Sequence, residues 1–259
     1  MITKVIRTVI LVLFLTSCSK NSNKVSSSLN YEKGFTQTLV YETKTSANEM
    51  GSFQESNEIQ FTLDSITKDS NYVFTGVLKR IKYESDMFGS QEGFDTEVIK
   101  SISTKKLKES ELEMYNEVKD YLDEEFTLLT DKYGKTIKEA AFKNAPYRNA
   151  SIVSQFSASP ITFPKEPLTV GTTWNYETEN PLLPSQKMVF KYTVDDITAD
   201  KIMIDVAMTI DGIGGMLKAT TANGTYEIDR TSKRFLSGER KMKLQTGGGT
   251  ATYKVYEKK

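Results

Sequence analysis

In one short segment Ile202, Ile204, Val206, Met208 and Ile210 occupy every second position, and no other feature of the chain restricts its fold as strongly. Side chains of an extended strand alternate between two faces, so such a stripe buries one face of a sheet and leaves the other free. The same period returns elsewhere. Met188, Phe190, Tyr192 and Val194 alternate with Val189, Lys191 and Thr193, and Ile59, Phe61 and Leu63 alternate with Gln60, Thr62 and Asp64. Tyr72, Phe74 and Leu78 share a face interrupted by Gly76. Near the carboxyl end Gly224 to Asp229 reads as a strand. Met242 and Leu244 then lead through Gly247, Gly248 and Gly249, a natural hairpin turn, to Ala251, Tyr253 and Val255. One-sided stripes of this kind belong to antiparallel sheet with one buried face.

One helix interrupts the strands. Ser110 followed by Glu113 makes a capping-box pattern, and Leu112, Tyr115, Val118 and Leu122 follow at three- and four-residue spacing, which predicts a helix over 111–124. Its charged side, with Glu111, Glu117, Lys119, Asp120 and Asp123, reads as a solvated surface. Phe126 to Thr130, Asp131 to Gly134 and Thr136 to Ala140 read as strand, turn and strand. The fold class expected is mainly β (α+β): a strongly twisted antiparallel sheet or half-barrel built from two similar halves, with one central helix packed on it.

The two halves rest on a short internal match. Phe61 to Asp69 (FTLDSITKD) aligns with Tyr192 to Asp200 (YTVDDITAD) with five identities in nine, and Tyr41-Glu42-Thr43 and Tyr176-Glu177-Thr178 lie upstream. Repeated units of this size imply one supersecondary element used twice, although hairpin turns draw on few residue types and can coincide by chance. Residues 31–259 are expected to form a single β-rich domain with halves at about 31–145 and 165–259. The two prolines of Phe163 to Trp174 mark the extended connector between them.

The amino terminus carries an address. Lys4 and Arg7 precede an apolar run from Val9 to Leu15, too short to span a bilayer, which ends in Leu15-Thr16-Ser17-Cys18. That ending resembles the lipobox of bacterial lipoproteins. The resemblance implies a signal peptide over 1–17, diacylglyceryl transfer to Cys18, further acylation of the new amino terminus, and a membrane anchor of two or more chains. Cys18 is the only cysteine, so it is expected to serve as a tether and not as a redox or metal site. Residues 18–30, rich in Ser, Asn and Lys, read as a flexible tether. Ser19 stands where an Asp would signal retention in the inner membrane, and no acidic cluster follows the cysteine. The expected location is therefore the periplasmic face of the outer membrane.

Composition removes several function classes. The chain has no histidine, so a Ser-His-Asp or Cys-His nucleophile system cannot be assembled from it, and the commonest transition-metal ligand is missing. Lys plus Arg and Asp plus Glu are each 34, leaving no basic excess for nucleic acid. No catalytic residue, cofactor or metal site is expected; carboxylate-only chemistry alone remains open. Within that remainder, Asp195 and Asp196 read better as turn residues than as a catalytic pair, because successive strand positions face opposite ways. Gly212-Ile213-Gly214-Gly215 lacks the third glycine of a dinucleotide fingerprint, and Gly247 to Gly249 lacks the helix and the Lys-Ser/Thr ending of a phosphate loop. The stripe from Met188 to Ile210 is read as packed core before ligand-cavity lining.

Two phrases resemble a family of uncharacterised lipoproteins common in Bacteroidota, with a lipobox and a Tyr-rich β domain: Pro167-Leu168-Thr169-Val170-Gly171-Thr172-Thr173-Trp174, and Gly224-Thr225-Tyr226-Glu227-Ile228-Asp229. The family carries no activity to transfer. The overall plan is also similar to curved half-barrel lipoproteins that carry lipids or lipoproteins across the periplasm, a likeness of fold and not of motif. The leading expectation is a non-enzymatic, membrane-anchored module binding an apolar ligand or lipid at the cell envelope. The alternative is a protein-interaction or scaffold lipoprotein, and behind both stands a carboxylate-based hydrolase with acidic groups ~5 to 9.5 Å apart.

Overall fold

The computed structural model describes residues 24–48, 51–102, 106–145, 150–180, 183–211, 219–244 and 248–259. Cys18, the signal segment, Gly212 to Gly215 and Gly247 lie outside them. Twelve strands follow in chain order: β1 Thr36–Ala47, β2 Gly51–Ile66, β3 Tyr72–Met87, β4 Ser90–Asp95, β5 Glu125–Thr130, β6 Thr136–Phe142, β7 Thr173–Asn180, β8 Leu183–Ile197, β9 Lys201–Ile210, β10 Thr220–Asp229, β11 Phe235–Lys243 and β12 Gly249–Glu257. They form one sheet in the order β6-β5-β3-β2-β1-β12-β11-β10-β9-β8-β7, with β4 paired to the far half of β3. The mainly β, antiparallel expectation holds. The sheet is open, with β6 and β7 at its edges.

Most strands adjacent in sequence are adjacent in the sheet, the arrangement that short connections favour; the exceptions are β4 and β5, which both pair with β3, and β6 and β7, which stand at opposite edges. The two ends of the chain meet at the centre. There β1 pairs with β12, from Leu39 opposite Glu257 to Ala47 opposite Gly249, so both ends of the domain are held by long strands.

The alternating stripes converge on one inner face. Leu39, Ile59, Phe61, Leu63, Phe74, Leu78, Phe126, Tyr192, Ile204, Ile228 and Phe235 are all buried in one cluster. Gly76 interrupts the β3 stripe because the ring of Phe126, its partner across the pair, occupies the space of the missing side chain. Two non-sheet segments cover this face at one end. The connector from β6 to β7 contributes Val153, Phe156, Ala158, Ile161, Phe163 and Leu168, and the amino-terminal segment contributes Val25, Leu29 and Tyr31.

Packing therefore starts earlier than the expected boundary at Tyr31. Val25 and Leu168 exchange backbone hydrogen bonds of 3.0 and 2.8 Å, and the Leu29 N–H donates to the Lys132 carbonyl at 2.8 Å. Two apolar side chains inside a Ser-rich stretch suffice to dock it.

Three short helices accompany the sheet: α1 Thr96–Ser101, α2 Glu109–Val118 and α3 Ser151–Ser154. The helix expected at 111–124 is α2 followed by a single 3-10 turn, Lys119–Tyr121. Its cap is not Ser110: the Glu111 carboxylate accepts the Lys108 N–H at 2.9 Å and starts the helix one position before Ser110. It stops early because Leu122 turns extended and bridges Leu78 on β3. Tyr115, Val118 and Leu122 rest against the rim of the core without full burial.

The nonapeptide match has a geometric counterpart. Gly34 (φ +85°) and Gly171 (φ +86°) each donate a backbone N–H, to Leu63 and Val194 respectively, the aligned residues of the two copies. Thr36 and Thr62 share a hydroxyl contact of 3.2 Å, as do Thr173 and Thr193. Each long strand then bulges at the aligned aspartates, Asp64 and Asp195. The upstream Tyr-Glu-Thr phrases are not equivalent in space: with Thr36 matched to Thr173, Tyr41 corresponds to Thr178, two residues away from Tyr176.

Candidate functional site

Away from the covered end, the inner face of β7 to β12 and β1 carries large side chains that are only half-buried. Tyr176 on β7, Phe190 on β8, Tyr253 on β12 and Tyr41 on β1 point inward by the register of their pairs with buried neighbours. Tyr41 marks where the cover ends, because its hydroxyl donates to the Ser157 carbonyl of the connector and its ring lies 4.9 Å from Phe156. Burial pushes the Tyr41 and Tyr226 phenols up, so both stay neutral at ordinary pH.

Arg240 is the one cation among these rings. Strand alternation places it inward, between Gly238 and Met242 on β11 and opposite Tyr253 on β12. Its guanidinium carbon lies 5.4 Å from the Phe190 ring centre, 5.6 Å from Tyr253 and 6.0 Å from Tyr226, and one terminal nitrogen is 2.8 Å from the Met208 sulfur. Gly224 across the pair presents no side chain. Cation-π attraction at a partly exposed site of this kind is worth ~0.5 to 1 kcal/mol. Among the described residues, no carboxylate pairs with Arg240. A guanidinium has five N–H donors and no acceptor, and a thioether is a weak partner, so most of this donor set is left for an oxygen anion. Arg80 on β3 is the contrast: it binds Asp95 through two nitrogens and Glu97 at 3.2 Å.

Two concavities lie elsewhere. One, of about 350 Å³, sits under β4 and α1, lined by Tyr83, Phe94, Val98, Ile99 and Leu107 together with Glu84, Asp95 and Glu111. All three of its acids have structural partners, Glu84 pairing with Lys82 at 2.8 Å. The Arg80 guanidinium holds the Asp95 carboxyl below the usual carboxylate range, and that carboxyl also accepts the Glu97 N–H to cap α1, while Glu111 caps α2. The other, also about 350 Å³, is formed by Lys24 to Ser28, Lys132, Tyr133, Lys165 and Pro167.

Asp195 and Asp196 are exposed at the β8 bulge, and Asp196 accepts the Ile197 N–H at 2.8 Å, a local turn contact outside both clefts. The Met188 to Ile210 stripe divides: Tyr192, Val194, Ile202, Ile204, Val206 and Met208 are core, whereas Met188, Phe190 and Ile210 are half-buried. Trp174 stacks on Tyr192 at 5.1 Å and donates its indole N–H to Thr162 at 2.8 Å, so it joins the connector to β7. Arg240 was missed, although the signal was present: it shares the phase of Met242 and Leu244, which marks it as an inward-facing cation.

The model of a family of unknown function, DUF6263, matches residues 114–255. Both phrases that carry the family resemblance, Pro167 to Trp174 and Gly224 to Asp229, fall inside that span. No curated protein and no solved structure matches the chain.

Proposed function

The chain belongs to DUF6263, a family of unknown function, and from its own residues we propose that it is a non-enzymatic, lipid-anchored module that holds an apolar or amphiphilic ligand at the bacterial cell envelope. The observation that carries this reading is Arg240 among Phe190, Tyr226 and Tyr253, with no carboxylate beside it in the described structure. Rings offer an apolar body its contact area, and the guanidinium offers a headgroup its hydrogen bonds. The lipobox ending at Cys18 supports acylation there, and Ser19 supports the periplasmic face of the outer membrane. The absence of histidine supports a binding role over hydrolysis. The recurring Gly-Thr corner supports two halves of common design.

A second reading, a scaffold that meets another envelope protein, draws on the covered end of the inner face, where the connector and amino-terminal segment bury Phe163 and Leu168. Native mass spectrometry with lipid extraction separates the two. The chain from Ser19 onward, purified without its anchor from bacterial envelopes, is expected to carry a stoichiometric amphiphile. Arg240→Met is expected to weaken an anionic one by about tenfold and to leave a neutral one unchanged. A bare mass after incubation with envelope lipids overturns the ligand reading in favour of the scaffold.

A further inference from the structure

Outside the aromatic face, the strongest unassigned feature is the pocket at the root of the amino-terminal segment. Three lysines from three separate parts of the chain, Lys24, Lys132 and Lys165, line it together with the serines 26–28, and no carboxylate does. Backbone bonds fix the frame: the Val25–Leu168 pair holds one side and the Leu29 to Lys132 bond holds the other. The serines add hydroxyls, with Ser26 and Ser28 in contact at 2.8 Å. The neighbouring acids are turned to other work or out of the lining. Asp131 accepts the Tyr133 and Lys135 N–H groups, and Glu166 is exposed beside the pocket. Among the described residues, none of the three lysines forms an ion pair; Lys132 lies 5.4 Å over the Tyr133 ring.

We infer that this pocket binds a phosphate-class anion, supplied as the phosphodiester of a membrane headgroup or as free phosphate. Three lysines bring positive charge and ammonium donors to one concavity, and a multivalent oxyanion with several acceptors complements both. The membrane source rests on the lipoprotein reading. Lys24 stands six positions after Cys18, a reach of about 20 Å at full extension, so an anchored chain would carry the pocket close to the headgroup layer. This site is independent of Arg240 and survives if the ligand reading of the aromatic face fails.

The test uses the chain from Ser19 onward, which retains every core residue from Val25 to Val255. Inorganic phosphate is titrated by 31P NMR, and co-sedimentation is measured with vesicles of phosphatidylglycerol in phosphatidylcholine against phosphatidylcholine alone. Saturable binding to either probe, about tenfold weaker in the triple variant Lys24→Gln/Lys132→Gln/Lys165→Gln, is the expected result. Vesicle binding, competed by phosphate, assigns the headgroup; phosphate binding without vesicle binding assigns the free anion. All three side chains are exposed, so the variant keeps the fold. The inference is overturned if neither probe binds, if the triple variant binds as well as the parent, or if Lys44→Gln/Lys106→Gln/Lys138→Gln loses as much.

Discussion

The ring of Phe126 fills the place of a side chain at Gly76: a Cβ on that glycine would stand 2.2 Å from the ring's Cζ. The two residues face each other across β3 and β5, and Phe126 is fully buried against Phe61 and Phe142. The ring has nowhere to move, so one added methyl has to displace packed core. Gly76→Ala is expected to lower stability by about 1 to 3 kcal/mol, the usual range for overpacking, measured by urea denaturation. A loss below about 0.5 kcal/mol, the scale of surface changes, would show that the core yields.

Gly34 and Gly171 make a different kind of demand. Both adopt positive φ, and nothing lies within 4 Å of a Cβ built on either, so alanine there meets backbone strain without a clash. Each alanine variant is expected to lose about 1 to 2 kcal/mol. The two losses should agree with each other, because the corners share the same hydrogen bonds to Leu63 and Val194. Unequal losses in chemical denaturation would mean that the corners differ in what surrounds them.

Much of this architecture was legible in the sequence, and for one physical reason. A strand packed on one face must alternate, so the stripes at Ile59 to Leu63, Met188 to Val194 and Ile202 to Ile210 announced β2, β8 and β9 before any contact was known. What failed to show were elements held by partners distant in sequence. Strand β4 and helix α1 depend on Arg80 reaching Asp95 and on Thr96 accepting the Ile81 N–H at 3.0 Å. The docking of Val25 depends on Leu168, more than a hundred residues away. The aromatic face was half visible. Its rings were counted as core, but a lone inward arginine gains meaning only when β8, β10 and β12 bring three rings around it.

Arg80 and Arg240 are expected to respond unequally to the same substitution. Arg80→Met leaves the Asp95 carboxylate, with its side chain 14% exposed, without its cation, and for a pair whose arginine is 34% exposed the loss falls between the surface and the buried case, about 1 to 2 kcal/mol. Arg240→Met leaves no anion behind and keeps an apolar stem among the rings, so a loss under about 1 kcal/mol is expected. Thermal and urea unfolding of the two variants side by side make the comparison. A large loss at Arg240 would give it a structural role and weaken its assignment to a ligand.

Lys233 is expected to tilt the alkaline limb of stability. It sits at positive φ in the β10–β11 turn, 2% exposed, with its ammonium donating to the Arg230 carbonyl and the Asp229 carboxylate committed to Thr231 and Ser232. Burial lowers its pKa to about 8, against a partial counterweight from Asp229 and a further push down from Arg230. Between that value and the ordinary 10.5, the unfolded chain holds a proton that the folded chain has released, so stability rises with pH across this interval. The buried phenols act in the reverse sense. Burial raises Tyr31 and Tyr226 above 10.0, and their contribution is lost as the pH climbs past that point and unfolded tyrosines ionise. The urea midpoint should therefore climb between pH 8 and about 10 and then fall, and Lys233→Met should abolish the climb while keeping the fall. If parent and variant trace the same curve from pH 7 to 10, the buried amine is not the group that titrates.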